Sequence, residues 1–220
     1  MVRIRQVAVV GTAALTALAL TALPASAATT TIRAGSATAD PYSGNVQASL
    51  LGEATVSTSI GSGSCTESAM TGSVQSDGTG LTIDGADFSE CSGTADVTIT
   101  ALELPWTGGS VEFDPAHTGG RDATVTIANF RVRADVDLLG GISCTFGGTL
   151  TSDGFNGDNP SRPETGSSEA QVSVNNATVN LQDGSFLCPS TAQVTATYEL
   201  KGESTPGSGT FDQSLYVTGE

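Results

Sequence analysis

The chain has 220 residues, 23 of them acidic and 8 basic, for a net charge of −15. Such a balance speaks against nucleic-acid and anionic-membrane partners, both of which need a basic footprint. Aromatic residues make up only 5% while glycines number 27, so any core is short of large side chains and gains from covalent help.

The first residues read as a leader. Arg3 and Arg5 precede an apolar run from Val7 to Leu23, and Ala25-Ser26-Ala27 is a small-residue cleavage site, the pattern of a secretory signal peptide. Arg3-Ile4-Arg5 is not a twin arginine, which favours general secretion. We therefore expect residues 1–27 to be removed and residues 28–220 to form an exported β domain, secreted or held at the cell surface. Its net charge falls from −15 to −17, because the leader carries two basic and no acidic residues. No later stretch approaches the length of a membrane-spanning helix.

Ala28 to Asp40 is a Thr- and Ala-rich lead whose start is expected to be mobile. Pro41-Tyr42-Ser43-Gly44 turns the chain into its first strand. Apolar or β-branched residues then fall on every second position from Val46 to Leu50 and from Ala54 to Ile60. Period two marks half-buried strands. Gly61-Ser62-Gly63 breaks the pattern, and Cys65 opens a strand through Met70 and Val74. Asp77-Gly78-Thr79-Gly80 signals a hairpin, since glycine accepts the positive φ of tight turns. Leu81 and Ile83 answer across it, and Asp84-Gly85 reads as a further turn. Phe88, Cys91 and a strand on Ala95, Val97 and Ile99 follow. Leu104-Pro105-Trp106 ends that strand, because proline cannot donate to a ladder.

Beyond Val111-Glu112-Phe113, Asp114-Pro115 and the glycine-rich Thr118-Gly119-Gly120 lies the longest strand signal, Thr124 to Leu138. Val125 and Ile127 mark one face, and Ala128, Phe130, Val132, Ala134, Val136 and Leu138 the other. This switch of phase predicts a bulge near Ala128. Arg131, Arg133, Asp135 and Asp137 share the opposite, solvated side. After Cys144, Phe146 and Leu150, the stretch Asn156 to Ser168 is rich in Gly, Asn, Pro and Ser and reads as a surface loop. Val172 and Val174, Ala177 to Leu181, Phe186 to Cys188 and Ala192 to Leu200 continue the strand pattern. Lys201 to Gly209 is a loop and Phe211 to Val217 a last strand.

One block occurs twice. Cys91-Ser92-Gly93-Thr94-Ala95-Asp96-Val97-Thr98-Ile99-Thr100 returns as Cys188-Pro189-Ser190-Thr191-Ala192-Gln193-Val194-Thr195-Ala196-Thr197, with Cys, Thr, Ala, Val, Thr and Thr at the same spacing. Ser-Cys-Thr (Ser64 to Thr66, Ser143 to Thr145) and Ser-Asp-Gly (Ser76 to Gly78, Ser152 to Gly154) precede both copies. The expected organisation is an internal duplication over residues 40–110 and 111–217. Four cysteines allow three pairings. A unit copied whole carries its own bridge, which favours Cys65 with Cys91 and Cys144 with Cys188. Each bridge would contribute about 3 to 4 kcal/mol by loop-closure entropy. Zinc cysteines come as close pairs, and these do not. The expected fold is therefore all-β: an antiparallel β-sandwich or barrel of two related halves, each with one disulfide.

Chemistry-bearing patterns are sparse. His117 is the only histidine, no Gly-x-Ser-x-Gly elbow occurs, and oxidised cysteines are not nucleophiles. No catalytic residue is assigned. Trp106, the only tryptophan, reads as a core plug or else an exposed contact residue. The densest polar cluster runs from Asp153 to Asn159, where Asp153, Asn156 and Asp158 are weak calcium candidates against the simpler reading of a hydrogen-bonded turn. Asn176-Ala177-Thr178 fits a glycosylation acceptor.

Cys65, Gly72 and Val74, the turn at Asp77-Gly78, Ala86 and Phe88 before Cys91, and Leu104-Pro105-Trp106 together resemble small secreted proteins named as activators of alkane oxidation. The second copy lacks the Leu-Pro-Trp. The resemblance implies an extracellular, non-enzymatic protein acting at cell surfaces, biofilms or oil–water interfaces, with no catalytic residues or cofactor. The expected function is thus a secreted structural or interaction protein with a cell-surface or extracellular partner, binding through strand faces and the loops at Gly154 to Ser168 and Lys201 to Gly209. The alternatives are a carbohydrate- or calcium-binding module and, more weakly, a carboxylate-dependent hydrolase.

Overall fold

The computed structural model describes residues 29–137 and 140–219. The leader at residues 1–27 and the expected strand residue Leu138 lie outside them. Among the described residues the strands are β1 (Thr30–Ala34), β2 (Gly44–Thr58), β3 (Gly61–Val74), β4 (Leu81–Gly93), β5 (Val97–Ala101) and β6 (Trp106–Phe113). They continue as β7 (Ala123–Val136), β8 (Ile142–Phe155), β9 (Ala170–Gly184), β10 (Thr191–Glu203) and β11 (Phe211–Gly219). The only helical element among these residues is a 3-10 turn at Thr118–Gly120.

Period-two side chains make each strand apolar on one face, and that face can be hidden only by curling the sheet. The sheet closes into an eight-position antiparallel barrel in which sequence neighbours are also spatial neighbours. Its order is β2, β3, β4, then β5 and β6 end to end, β7, β8, β9 and β10, and β10 pairs back onto β2. β5 and β6 share one wall position. Val97 to Ala101 face Val136 to Val132, and Ser110 to Phe113 face Thr126 to Ala123, along the same strand β7.

Bulges let these long strands bend. In β2 the register shifts between Ser49 and Ala54 around Gly52, so one strand covers what the sequence pattern divides in two. In β7 the shift lies between Ile127 and Phe130, where the change of phase predicts it. Asn129 sits there at φ 58°, a region asparagine tolerates better than most residues. Its side-chain amide donates to Thr107 O at 2.9 Å. Through the bulge, Ile127 and Phe130 both reach the core, which parity alone would forbid.

Several sequence expectations fail: Gly61-Ser62-Gly63 lies within β3, Phe186 to Cys188 forms a turn, and Lys201 to Glu203 belongs to β10. Asp84-Gly85 is no turn: β4 runs through it, pairing Gly85 with Thr71 and Ala86 with Met70. The expected mobile lead contains β1, whose five residues pair in register with β11, Ile32 opposite Val217. A single apolar residue, Ile32, is too little pattern to announce a strand.

The barrel has unlike ends. The base carries connections 75–80, 114–122, 156–169 and 204–210, and the ribbon of β1 and β11 folds over it, with the Ile32 N–H donating to Ser76 O at 2.7 Å. Ile32, Tyr42 and Leu215 pack there against Val74, Leu81, Val125 and Val172. The opposite end, the rim, carries connections 59–60, 94–96, 137–141 and 185–190. Between them one cluster takes Met70, Ile83 and Trp106 from the first expected half and Phe130, Phe146 and Tyr198 from the second. The halves share one core rather than forming two lobes.

Trp106 anchors this core. It is 1% exposed, donates its indole N–H to Leu102 O at 2.8 Å and stacks at a tilt on Phe130, centroids 4.9 Å apart. Trp106→Ala is expected to cost about 3 to 5 kcal/mol, read as a lower urea midpoint with both disulfides intact.

Candidate functional site

Small inward side chains leave the barrel unfilled. Ala48, Ala54, Gly63, Gly72, Ala134, Ala192 and Ala196 stand where a packed barrel of this width would carry larger residues, and together with the aliphatic and aromatic side chains they line a lumen of ≈ 320 Å³. That lies at the lower end of the range for small-molecule sites. No charged side chain lines it. The close approach of the strands depends on these small residues. At Gly72 a Cβ would lie 1.9 Å from Thr82 O.

The lumen runs from base to rim with mixed burial. Near the base, lining residues Val74, Leu81, Val125, Val172 and Leu215 are buried while Val46, Val111 and Leu200 are half-buried. Toward the rim, Ile142, Cys144 and Ala192 are buried while Val56, Val97, Ile99, Val132, Val136 and Val194 are half-buried. An inward aliphatic side chain touched by solvent means an incompletely filled interior. Three large apolar residues stand exposed on the rim connections: Ile60 in the β2–β3 turn and Phe186 and Leu187 in the β9–β10 turn. Phe186 is 96% exposed. Those two turns flank the β10–β2 closure, so the residues share one side of the rim.

Both disulfides brace this open end. Cys65 on β3 is bonded to Cys91 directly opposite on β4, across 26 residues of sequence. Cys144 on β8 is bonded to Cys188, 44 residues on, in the turn beyond β9. The residue opposite Cys144 is Gly184, at φ 150°, where a Cβ would meet Cys188 Sγ at 2.6 Å. The aligned block therefore differs in detail, with Cys91 inside a strand and Cys188 in a turn. The β3–β4 and β8–β9 pairs stand on opposite sides of the eight-position ring, so the bridges tie two facing arcs of the rim.

The polar candidates lie elsewhere. Asp153, Asn156 and Asp158 each have a structural partner within the protein. Asp153 Oδ1 accepts from Arg121 at 3.1 Å, and Asp158 Oδ2 accepts from the Tyr216 hydroxyl at 3.3 Å. Asn156 donates its backbone N–H to Asp122 and exchanges two hydrogen bonds with the Val217 backbone. Among the described residues no cluster of His, Cys, Asp and Glu could hold a metal. His117 Nδ1 lies 3.3 Å from Asp122 Oδ1 at the base, away from the lumen lining. Trp106, buried as described, offers no surface to a partner.

The loops expected to bind are held by internal hydrogen bonds. Gln171, fully buried, pairs with both backbone groups of Glu164, accepting at 3.0 Å and donating at 2.6 Å. Arg162 donates to the carbonyls of Asn159, Thr165 and Ser167. The β10–β11 loop is gathered by Glu203, whose carboxylate accepts from the Gly207 and Gly209 N–H groups and from Asn45. A second, shallower concavity of ≈ 390 Å³ lies on the outer wall among Glu53, Ser57, Ser64, Asn176, Gln193 and Thr195. Comparison of the chain with protein-family models, curated proteins and solved structures finds no match. Sequence reasoning missed the lumen. The one signal for it was the combination of abundant small residues with an alternating strand pattern.

The Gly207 N–H foremost, then Gly209 and Asn45, hold the Glu203 carboxyl below its ordinary 4.5, outweighing the opposing effect of burial. Its stabilising contribution is therefore complete above that ordinary value and is lost as pH falls through the depressed one. Glu203→Gln should lower the melting temperature at neutral pH and flatten its fall on acidification, as followed by circular dichroism across a pH series.

Proposed function

We propose that this chain is an exported, non-enzymatic binding protein that holds a small apolar molecule inside its barrel. The observation carrying the reading is the lumen itself, lined chiefly by aliphatic side chains and by no charged one, with half-buried Val56, Val97, Ile99, Val132, Val136 and Val194 near the rim. Burying an apolar ligand there removes water from both surfaces, worth roughly 25 cal/mol per Å² before the cost of association.

Three further features support it. Two disulfides with no free cysteine suit an oxidising compartment, in keeping with the leader read at residues 1–27. Inward apolar and outward polar faces are the reverse of a membrane barrel, whose lipid-facing band is apolar. Among the described residues no helix is long and apolar enough to cross a membrane. The exposed Ile60, Phe186 and Leu187 give an apolar molecule a path into the rim, and the resemblance to activators of alkane oxidation points to apolar matter outside the cell.

A carbohydrate-binding role would use the outer concavity, whose lining carries hydroxyls and amides but no aromatic ring on which a sugar could stack. The lumen is the better-formed site.

The test is titration with the neutral, environment-sensitive dye N-phenylnaphthylamine. Fluorescence should rise saturably with wild-type protein. Ala134→Trp and Val194→Trp, which fill the lumen from facing walls, should each weaken binding by about tenfold or more without lowering the melting temperature. Unaltered dye binding in both variants would place the dye outside the barrel and sink the proposal.

A further inference from the structure

A buried hydroxyl pair with a proton to spare sits at the lumen wall. Tyr198 on β10 is 5% exposed and lines the cavity. Its hydroxyl lies 3.2 Å from the hydroxyl of Ser68, itself 9% exposed. Ser68 is on β3 and Tyr198 on β10, with β2 between them, so the tyrosine side chain, the hydrogen bond and the serine together span two strand spacings, roughly 9 to 10 Å of wall. It lies along the inner surface rather than filling the space.

Two hydroxyls bring two protons, and one hydrogen bond joins them. Whichever oxygen donates, the other O–H keeps its proton unused, and neither oxygen has another partner among the described residues. A buried donor left unpaired is costly, so the pair is poised to meet an acceptor. Burial pushes the Tyr198 hydroxyl above the usual phenol range, although Ser68 opposes the shift. The group therefore stays protonated and donating under ordinary conditions.

The surroundings restrict what that acceptor can be. No Lys or Arg lines the lumen. Every basic residue of the described chain is engaged elsewhere: Arg121, Arg131, Arg133 and Lys201 with carboxylates, Arg33 and Arg162 with backbone carbonyls. A carboxylate head would enter without a countercharge, against the field of a strongly acidic protein, and would lose its hydration. A pure hydrocarbon would enter freely but leave the hydroxyl proton unsatisfied.

Resting on the apolar-lumen reading above, we propose that the barrel selects uncharged, chiefly aliphatic molecules bearing a hydrogen-bond acceptor, such as a ketone, ester or ether oxygen, and that the Tyr198–Ser68 hydroxyl pair receives that oxygen. Tyr198 supplies the face turned to the ligand, while Ser68 fixes the ring against the wall.

Three competitors of equal chain length, decane, a decanone and decanoate, separate the possibilities when each displaces N-phenylnaphthylamine from wild type at slightly alkaline pH. The decanone should displace the dye at about tenfold lower concentration than decane, the worth of one good buried hydrogen bond, and decanoate should be the weakest of the three. In Tyr198→Phe the decanone should lose its advantage while decane is unaffected. In Ser68→Ala, which leaves the tyrosine donor in place, the advantage should persist. Equal displacement by decane and decanone in wild type would overturn the hydroxyl-pair assignment, as would a decanone advantage that survives Tyr198→Phe. Decanoate binding as tightly as the decanone would overturn the preference for uncharged ligands. If the dye binds but no competitor displaces it, or the dye does not bind, the apolar-lumen reading itself fails. Because equal displacement by decane and decanone in wild type already overturns the assignment, the test stays falsifiable if Tyr198→Phe does not fold.

Discussion

The pairing of β10 with β2 is the contact on which everything else depends. It joins residues 193–202 to residues 46–57, and without it the sheet would have two free edges and a single open apolar face. Once the wall closes, every inward position looks at another inward position across the barrel. The sizes of those side chains then decide whether the middle is solid or hollow. Alanine and glycine at so many inward positions make it hollow, a state a flat sheet could not hold.

Closure also divides the labour between the two ends. At the base, β1 and β11, the Gln171-held loop and the Glu203-held loop form a plug held by side-chain-to-backbone hydrogen bonds. The rim has only short turns and would be the first place to fray. Disulfides sit there on opposite arcs, constraining the mouth without occupying it. Stapling the mouth rather than the base keeps the opening in shape, a form of preorganisation that spares a ligand the work of shaping its site.

How much of this could be read from the residues differs with the range of the interaction. Alternation at Val46 to Ile60 or Val172 to Leu181 reports local geometry, and the phase slip at Ala128 marks a real bulge. Asp84-Gly85 misleads because a turn-forming dipeptide is overruled by its neighbours: Ile83 pairs with Gly72 and Ala86 with Met70, and the strand passes Asp84 through a register shift rather than a turn. Closure is illegible because several strands carry the same alternation and none announces its partner. The Asp153 to Asn159 cluster suggests a cation only until Arg121, Asp122, Tyr216 and Val217 arrive from elsewhere in the chain to use its oxygens and amides. The Tyr198–Ser68 contact, spanning 130 residues, has no sequence signature at all.

The antiparallel pairing of β1 with β11 puts Thr30 directly opposite Gly219 at the base. The first and last strands are thus neighbours on the face farthest from the mouth. A tether or surface linkage joined directly to either strand there would hold the molecule with its opening turned outward. The same adjacency would let a short linker join the ends, so that new termini could be cut in a rim turn without breaking the barrel's connectivity.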